Sequence, residues 1–300
     1  MRIMIALSFL LAFSFTGVSQ RSFFEHSDTL NKKRVISIST GLGTFWAGSM
    51  IGLNQVWYSK VEKSKWHTFD DSKNWLQMDK FGHFYIAYQE AQFTTDLYRW
   101  TGLDDKKCAL IGAGVSIGYQ TTFELFDAFS ADWGFSWSDV AANTLGTATY
   151  AAQSYFWDEQ RIIPKFSYSP TEFAAIRPEV LGSTFTESLL KDYNGQTYWL
   201  SFSPGTFFKN SGIPEWACFS VGYSSHAKLV GSEEYYLDPE TNFGYNSQRE
   251  LVLSLDIDFS KLPIKKPWLK AIVKHFNYFK LPFPALIIRN DGISGRGLYY

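Results

Sequence analysis

The stretch Gln77–Gly146 places acidic, His, Gln and Asn residues inside three successive apolar, helix-forming segments, and a fold must account for where those polar groups go. At about 100° per residue, Asp79, His83 and Glu90 fall within about 40° of one another on the first helix. Lys80 points off that stripe. On the second, Gln120, Glu124 and Asp127 recur at helical spacing and share a face. On the third, Asp139, Asn143 and Gly146 do the same. Burying one carboxylate without a partner costs several kcal/mol. Three helices that each carry a polar stripe can meet this cost by facing one another. The expected result is an internal network of carboxylates, one imidazole and amides. Such a network can hold a metal ion, run acid–base chemistry, or fix helix register.

The candidate catalytic set is therefore Asp79, His83, Glu124, Asp139 and Asn143, with Lys80, Gln120, Asp127 and Glu90 as binding residues. Plainer roles compete. Ser136-Trp-Ser-Asp139 has capping-box form, with Asp139 turned back to a backbone N–H. A His four residues from an Asp is commonly a structural pair. The cofactor is none, or a divalent ion held by His83, Asp79 and Glu124. Zinc would want more nitrogen or sulfur donors, and an oxygen-rich set suits magnesium, calcium or manganese. Zinc-protease, Walker, Rossmann and nucleophile-elbow patterns are absent from this stretch.

The order Asp79-Lys80-x-x-His83, Glu124, Ser138-Asp139-x-x-x-Asn143-x-x-Gly146 resembles the YfiM-like family of predicted periplasmic lipoproteins, a domain of unknown function. More distantly it is similar to VanZ-type membrane proteins. The resemblance covers roughly residues 35–157, and the later phrase Lys191–Ser201 is similar to versions from Bacteroidetes-type envelopes. It implies an envelope location and leaves activity open. A lipoprotein carries a Cys at its signal cleavage point, and this chain has none there.

Net charge is −1, so neither nucleic acid nor an acidic membrane surface is favoured electrostatically. Aromatic residues make up 18% of the chain, which fits a membrane–water interface or a large aromatic core. Cys108 and Cys218 match no metal or redox spacing.

Residues 1–20 read as a signal peptide, with Met1-Arg2, an apolar run Ile3–Phe15, and cleavage near Ser19 or Gln20. Residues 21–34 read as a polar tail. Residues 35–160 read as a four-helix bundle, either membrane-embedded or soluble. Its helices are expected over Val35–Ser59, Asn74–Trp100, Cys108–Phe126 and Asp139–Trp157, with Asp70, Asp71 or Ser72 capping the second. Gly48-x-x-x-Gly52 and Gly114-x-x-x-Gly118 allow close helix packing. Residues 161–300 read as a loop-rich region with short helices and a small antiparallel sheet, giving an α+β chain. Its clearest strand is Glu250–Phe259. There the leucines are expected to face the core, and Asp256 and Asp258 the solvent.

Two functions fit. One is an exported protein of the periplasm or outer membrane with a structural or binding role toward membrane lipid or another envelope component. The other is a membrane-associated hydrolase or transferase acting on a lipid or cell-wall precursor. The first is preferred, because no complete catalytic signature is present.

Overall fold

The computed structural model describes residues 26–56 and 58–300. The signal peptide and its cleavage point lie outside the described residues. Four long helices form, at Lys32–Val56 (α1), Met78–Arg99 (α2), Asp105–Asp127 (α3) and Trp137–Phe156 (α4). Only α2, α3 and α4 share a core. Gly146 lets α4 approach the α2 backbone, because a Cβ there would overlap the carbonyl of Phe84. Gly112 does the same for α3, against Thr95 and the Ala91 carbonyl. Tyr88 and Tyr150 close this core edge to face, their centroids 5.4 Å apart.

The expectation of a four-helix bundle is thus met by three helices. α1 lies along the outside, its Trp46 resting on Gly118 and 5.5 Å from the Tyr119 ring. Ser39 and Tyr98 share a hydrogen bond of 2.7 Å, and Tyr119 donates to Ser49 at 2.9 Å. Gly48, Gly52 and Gly114 face open space, so those small-residue positions are not used to pack helices within the chain. Among the described residues, α1 is the helix long and apolar enough to cross a membrane.

The second half forms a six-stranded antiparallel sheet in the order β1-β2-β3-β6-β7-β8. Its strands are Ile162–Tyr168 (β1), Gln196–Phe202 (β2), Ala217–His226 (β3), Gln248–Ile257 (β6), Phe283–Arg289 (β7) and Gly292–Tyr299 (β8). A hairpin of Tyr235–Leu237 (β4) and Gly244–Asn246 (β5) stands apart. The sheet is larger than expected, since β1 and β8 lack the apolar alternation that marks the others. Pro267–Val273 forms a short helix, followed by a 3₁₀ turn over Lys274–Tyr278. Neighbouring strands lie about 4.8 Å apart, so β2 and β8 would be far apart in a flat sheet. Thr197 of β2 nonetheless meets Tyr299 of β8 at 3.1 Å, so the sheet is strongly curled.

The polarity of this sheet is the reverse of what the leucine pattern suggests. Leu200, Val221, Leu253 and Leu286 form a row across four strands, and all are exposed. Phe219 and Leu255 form a second such row. The concave face instead buries Ser201, Ser220, Ser254, Glu250 and Asp256 around Trp199, Val252 and Ile287. Asp256 is therefore not solvated. It pairs with Lys165 at 2.9 Å, with both side chains fully buried. Asp258 is buried too and accepts hydrogen bonds from Ser260 and Asn277. Cys108 and Cys218 are buried free thiols.

The two halves join where the first turns of α2 lie on the outer sheet face. Phe81 stacks on Tyr223 with centroids 4.5 Å apart. Tyr85 packs beside Tyr198 and Phe166.

Breaking a buried ion pair from one side leaves an uncompensated charge and costs about 3–5 kcal/mol. Asp256→Ala is expected to lower unfolding free energy by that order in urea denaturation. The double change Lys165→Met/Asp256→Leu is expected to recover most of the loss.

Candidate functional site

The site begins with strain. Trp75, Leu76 and Gln77 all take left-handed conformations, with φ of 51°, 52° and 65°. Such residues cost about 1–3 kcal/mol each unless their surroundings hold them. Here the second half of the chain does so. The N–H of Trp75 donates to the Gly231 carbonyl at 2.7 Å, Tyr223 donates to the Leu76 carbonyl, and Arg249 donates to Gln77 at 2.9 Å. The tight turn delivers Asp79, Lys80 and His83 on the first turns of α2. None of Asp70, Asp71 and Ser72 caps that helix, whose N-cap position is Gln77 without a side-chain capping bond.

Asp71 is recruited elsewhere. It accepts from Ser136 at 2.6 Å and from Ser138 at 2.7 Å, at the start of α4. Ser136 caps α4 by accepting from the Asp139 N–H at 3.1 Å. The reciprocal half of the expected capping box is absent, because the Asp139 carboxylate turns inward instead.

Lys80 is the hub, not a bystander pointing off the stripe. Its Nζ lies 2.7 Å from Asp71 Oδ2, 2.9 Å from Asp79 Oδ2 and 2.6 Å from Asp139 Oδ1. The last contact is a close, buried ion pair. His83 sits beside it. Its Nδ1 lies 3.1 Å from Asn143 Oδ1 and 3.8 Å from Glu124 Oε1. Its Nε2 lies 3.8 Å from Asp79 Oδ1 and 3.6 Å from Asp139 Oδ1. Tyr193, from the second half of the chain, donates to Asp79 Oδ1 at 3.1 Å. Glu124 Oε1 and Asn143 Nδ2 are buried without a hydrogen-bond partner.

All five candidate catalytic residues thus converge. Of the binding candidates, Lys80 joins them and the other three do not. Glu90 pairs with Gln120 at 2.9 Å in a separate layer further along the helices. Asp127 accepts from Tyr58 at 2.6 Å. The helical wheel had merged these layers because it gives angle and not height. Asp71 and Tyr193 were missed as site residues, and so was Tyr58, the partner of Asp127 outside the cluster. Asp71 sat in a charged loop with no periodicity, and the two tyrosines lay outside the stripes.

Burial sets the electrostatics, and neighbours correct it. It pushes Glu124 up to about 8 and Asp139 to about 6, with His83 opposing both. Asp127 rises to about 6 by burial, against the Tyr58 hydrogen bond. Burial would lower Lys80 and His83, but the facing carboxylates, Asp79 first, raise both. Burial would raise Asp71 and Asp79 as well. Hydrogen bonds from Lys80, Ser136 and Ser138 take Asp71 below its usual range, and His83 with Lys80 takes Asp79 below. Two surface clefts, of about 280 and 530 Å³, border other residues: one beside His226, Glu250 and Arg289, the other beside Tyr58, Phe126 and Phe129.

Glu90 is pushed up by burial from 4.5 to about 7. Across that range the folded chain keeps a proton that the unfolded chain has lost, so the group's contribution to stability falls as pH rises from 4.5 to about 7. Glu90→Gln is expected to flatten this fall, read as melting temperature against pH.

No curated protein and no solved structure matches the chain. Residues 66–155, which carry the whole path from Asp71 to Asn143, match the family described as Predicted periplasmic lipoprotein (DUF2279).

Proposed function

We propose that this chain is an exported envelope protein that docks onto a membrane through its apolar outer surface, while the Lys80 network locks the helices behind it. The reversed polarity of the sheet carries this reading. A sheet that buries serines and an ion pair while exposing rows of leucine and phenylalanine fits a hydrocarbon-facing setting better than water. The helices repeat the pattern. α3 buries Ser116, Gln120 and Glu124 and exposes Leu110, Ile117 and Leu125. α4 buries Asp139, Asn143 and Thr147 and exposes Leu145 and Phe156. The family description matched by residues 66–155, a predicted periplasmic lipoprotein, is in keeping with export.

Flotation with phosphatidylethanolamine–phosphatidylglycerol vesicles tests the reading. The wild-type chain is expected to rise with the vesicles in high salt. Leu253→Asp/Leu286→Asp is expected to remain at the bottom with its fold intact by circular dichroism. A wild-type chain that stays soluble and does not float sinks the proposal.

A second reading, a hydrolase or transferase acting on a lipid or cell-wall precursor, is supported by partial access to the cluster. The Asp79 and His83 side chains are 28% and 23% exposed, beside the buried Glu124 and Asp139. Under it, His83→Ala abolishes turnover of a lipid-linked precursor while leaving flotation unchanged. A wild-type chain without turnover removes this reading.

A further inference from the structure

One end of the curled sheet holds the cleft of about 280 Å³, lined from β3, β6, β7, β8 and the segment 169–173. That volume sits at the small end of ligand cavities. Its wall is fixed in advance. Asp192 is fully buried and accepts from Thr171 at 2.6 Å and from Asn194 Nδ2 at 3.0 Å, which pins the segment and the turn beside it. Phe173, buried, meets the His226 ring edge to face with centroids 5.1 Å apart.

Besides His226, four charged side chains line the cleft, two of each sign: Glu172, Glu250, Arg289 and Arg296. Glu250 is already paired, because Arg289 Nε donates to it at 2.5 Å. That bond anchors the guanidinium by its side edge. Its two Nη groups carry no hydrogen bond among the described residues. A guanidinium held this way presents a fork that matches carboxylate or phosphate oxygens. Arg296 lies opposite the buried Ala285 in the β7–β8 ladder, which puts it on the concave side with Arg289. Arg296 and Glu172 are exposed, and neither has an ion pair or hydrogen bond among the described residues. Burial, then Arg289, holds His226 below its usual range, so the imidazole adds no third cation at neutral pH.

We infer that this cleft binds a small zwitterion of amino-acid to dipeptide size, its oxyanion on Arg289 and Arg296 and its ammonium on Glu172. A plain anion would leave Glu172 unanswered, and a plain cation would face both arginines. The fork accepts two sources of the same chemistry: the carboxylate of a free amino acid or short peptide, and the phosphate of an ethanolamine headgroup. The site is independent of the docking surface, since Leu253 and Leu286 lie on the other sheet face. Either can fail alone.

The test is calorimetry on the full chain with alanyl-alanine and O-phosphoethanolamine as probes, and acetate, inorganic phosphate and ethanolamine as one-ended controls. At least one zwitterion is expected to bind once per chain and more tightly than every control. Binding of the dipeptide alone assigns a free solute, binding of phosphoethanolamine alone assigns a headgroup, and binding of both supports the shared chemistry. Arg296→Ala is expected to weaken the zwitterion by about tenfold or more. Glu172→Gln is expected to bring it down to the level of the matching anion. Both side chains are exposed, so the variants are expected to keep the wild-type melting temperature. A chain that binds neither zwitterion overturns the site. So does a control that binds as tightly as the zwitterions, or an affinity left unchanged by either variant.

Discussion

The ammonium of Lys80 is what lets three carboxylates meet inside this chain. Asp71 comes from a loop, Asp79 from α2 and Asp139 from α4, and each approaches the same nitrogen within 3 Å. Carboxylates gathered without it would repel one another in a medium that screens poorly. The glycines follow from the same demand. Gly112 and Gly146 let α3 and α4 sit against the α2 backbone, and only at that distance do Glu124, Asp139 and Asn143 reach His83.

Much of this was legible in the sequence because helical angle is legible. Asp79, His83, Glu124, Asp139 and Asn143 were placed on facing stripes and they do converge. Lys80 was misread because a wheel tracks the Cα–Cβ direction, and a four-carbon stem can swing its charge back over the stripe. Glu90, Gln120 and Asp127 were grouped with the others because angle says nothing of which turn meets which. Asp71 depended on a loop that only the finished fold positions. The helix ends were close to the expected ones, and the sheet was undercounted where β1 and β8 carry Pro, Gly and Lys in place of an apolar alternation.

The leucine rows were read correctly as one face of a strand and assigned to the wrong side. Alternation tells which residues share a face, and not which face water sees. The assumption that leucines go inside belongs to proteins surrounded by water. On the concave side, Lys165 pairs with Asp256 among buried serines, and the apolar rows are left exposed on the other face. The same reversal on α3 and α4 makes the outer surfaces of both halves alike in chemistry.

The left-handed run at Trp75–Gln77 ties these halves together in time as well as in space. Its restraints come from Tyr223, Gly231 and Arg249, far downstream in the chain. During synthesis, α2, α3 and α4 emerge long before those strands do. Until β3 and the segment after it arrive, the turn can relax, and Asp79 and Lys80 are free to swing away from their partners. The geometry of the charge cluster thus depends on the C-terminal sheet, which works as its latch.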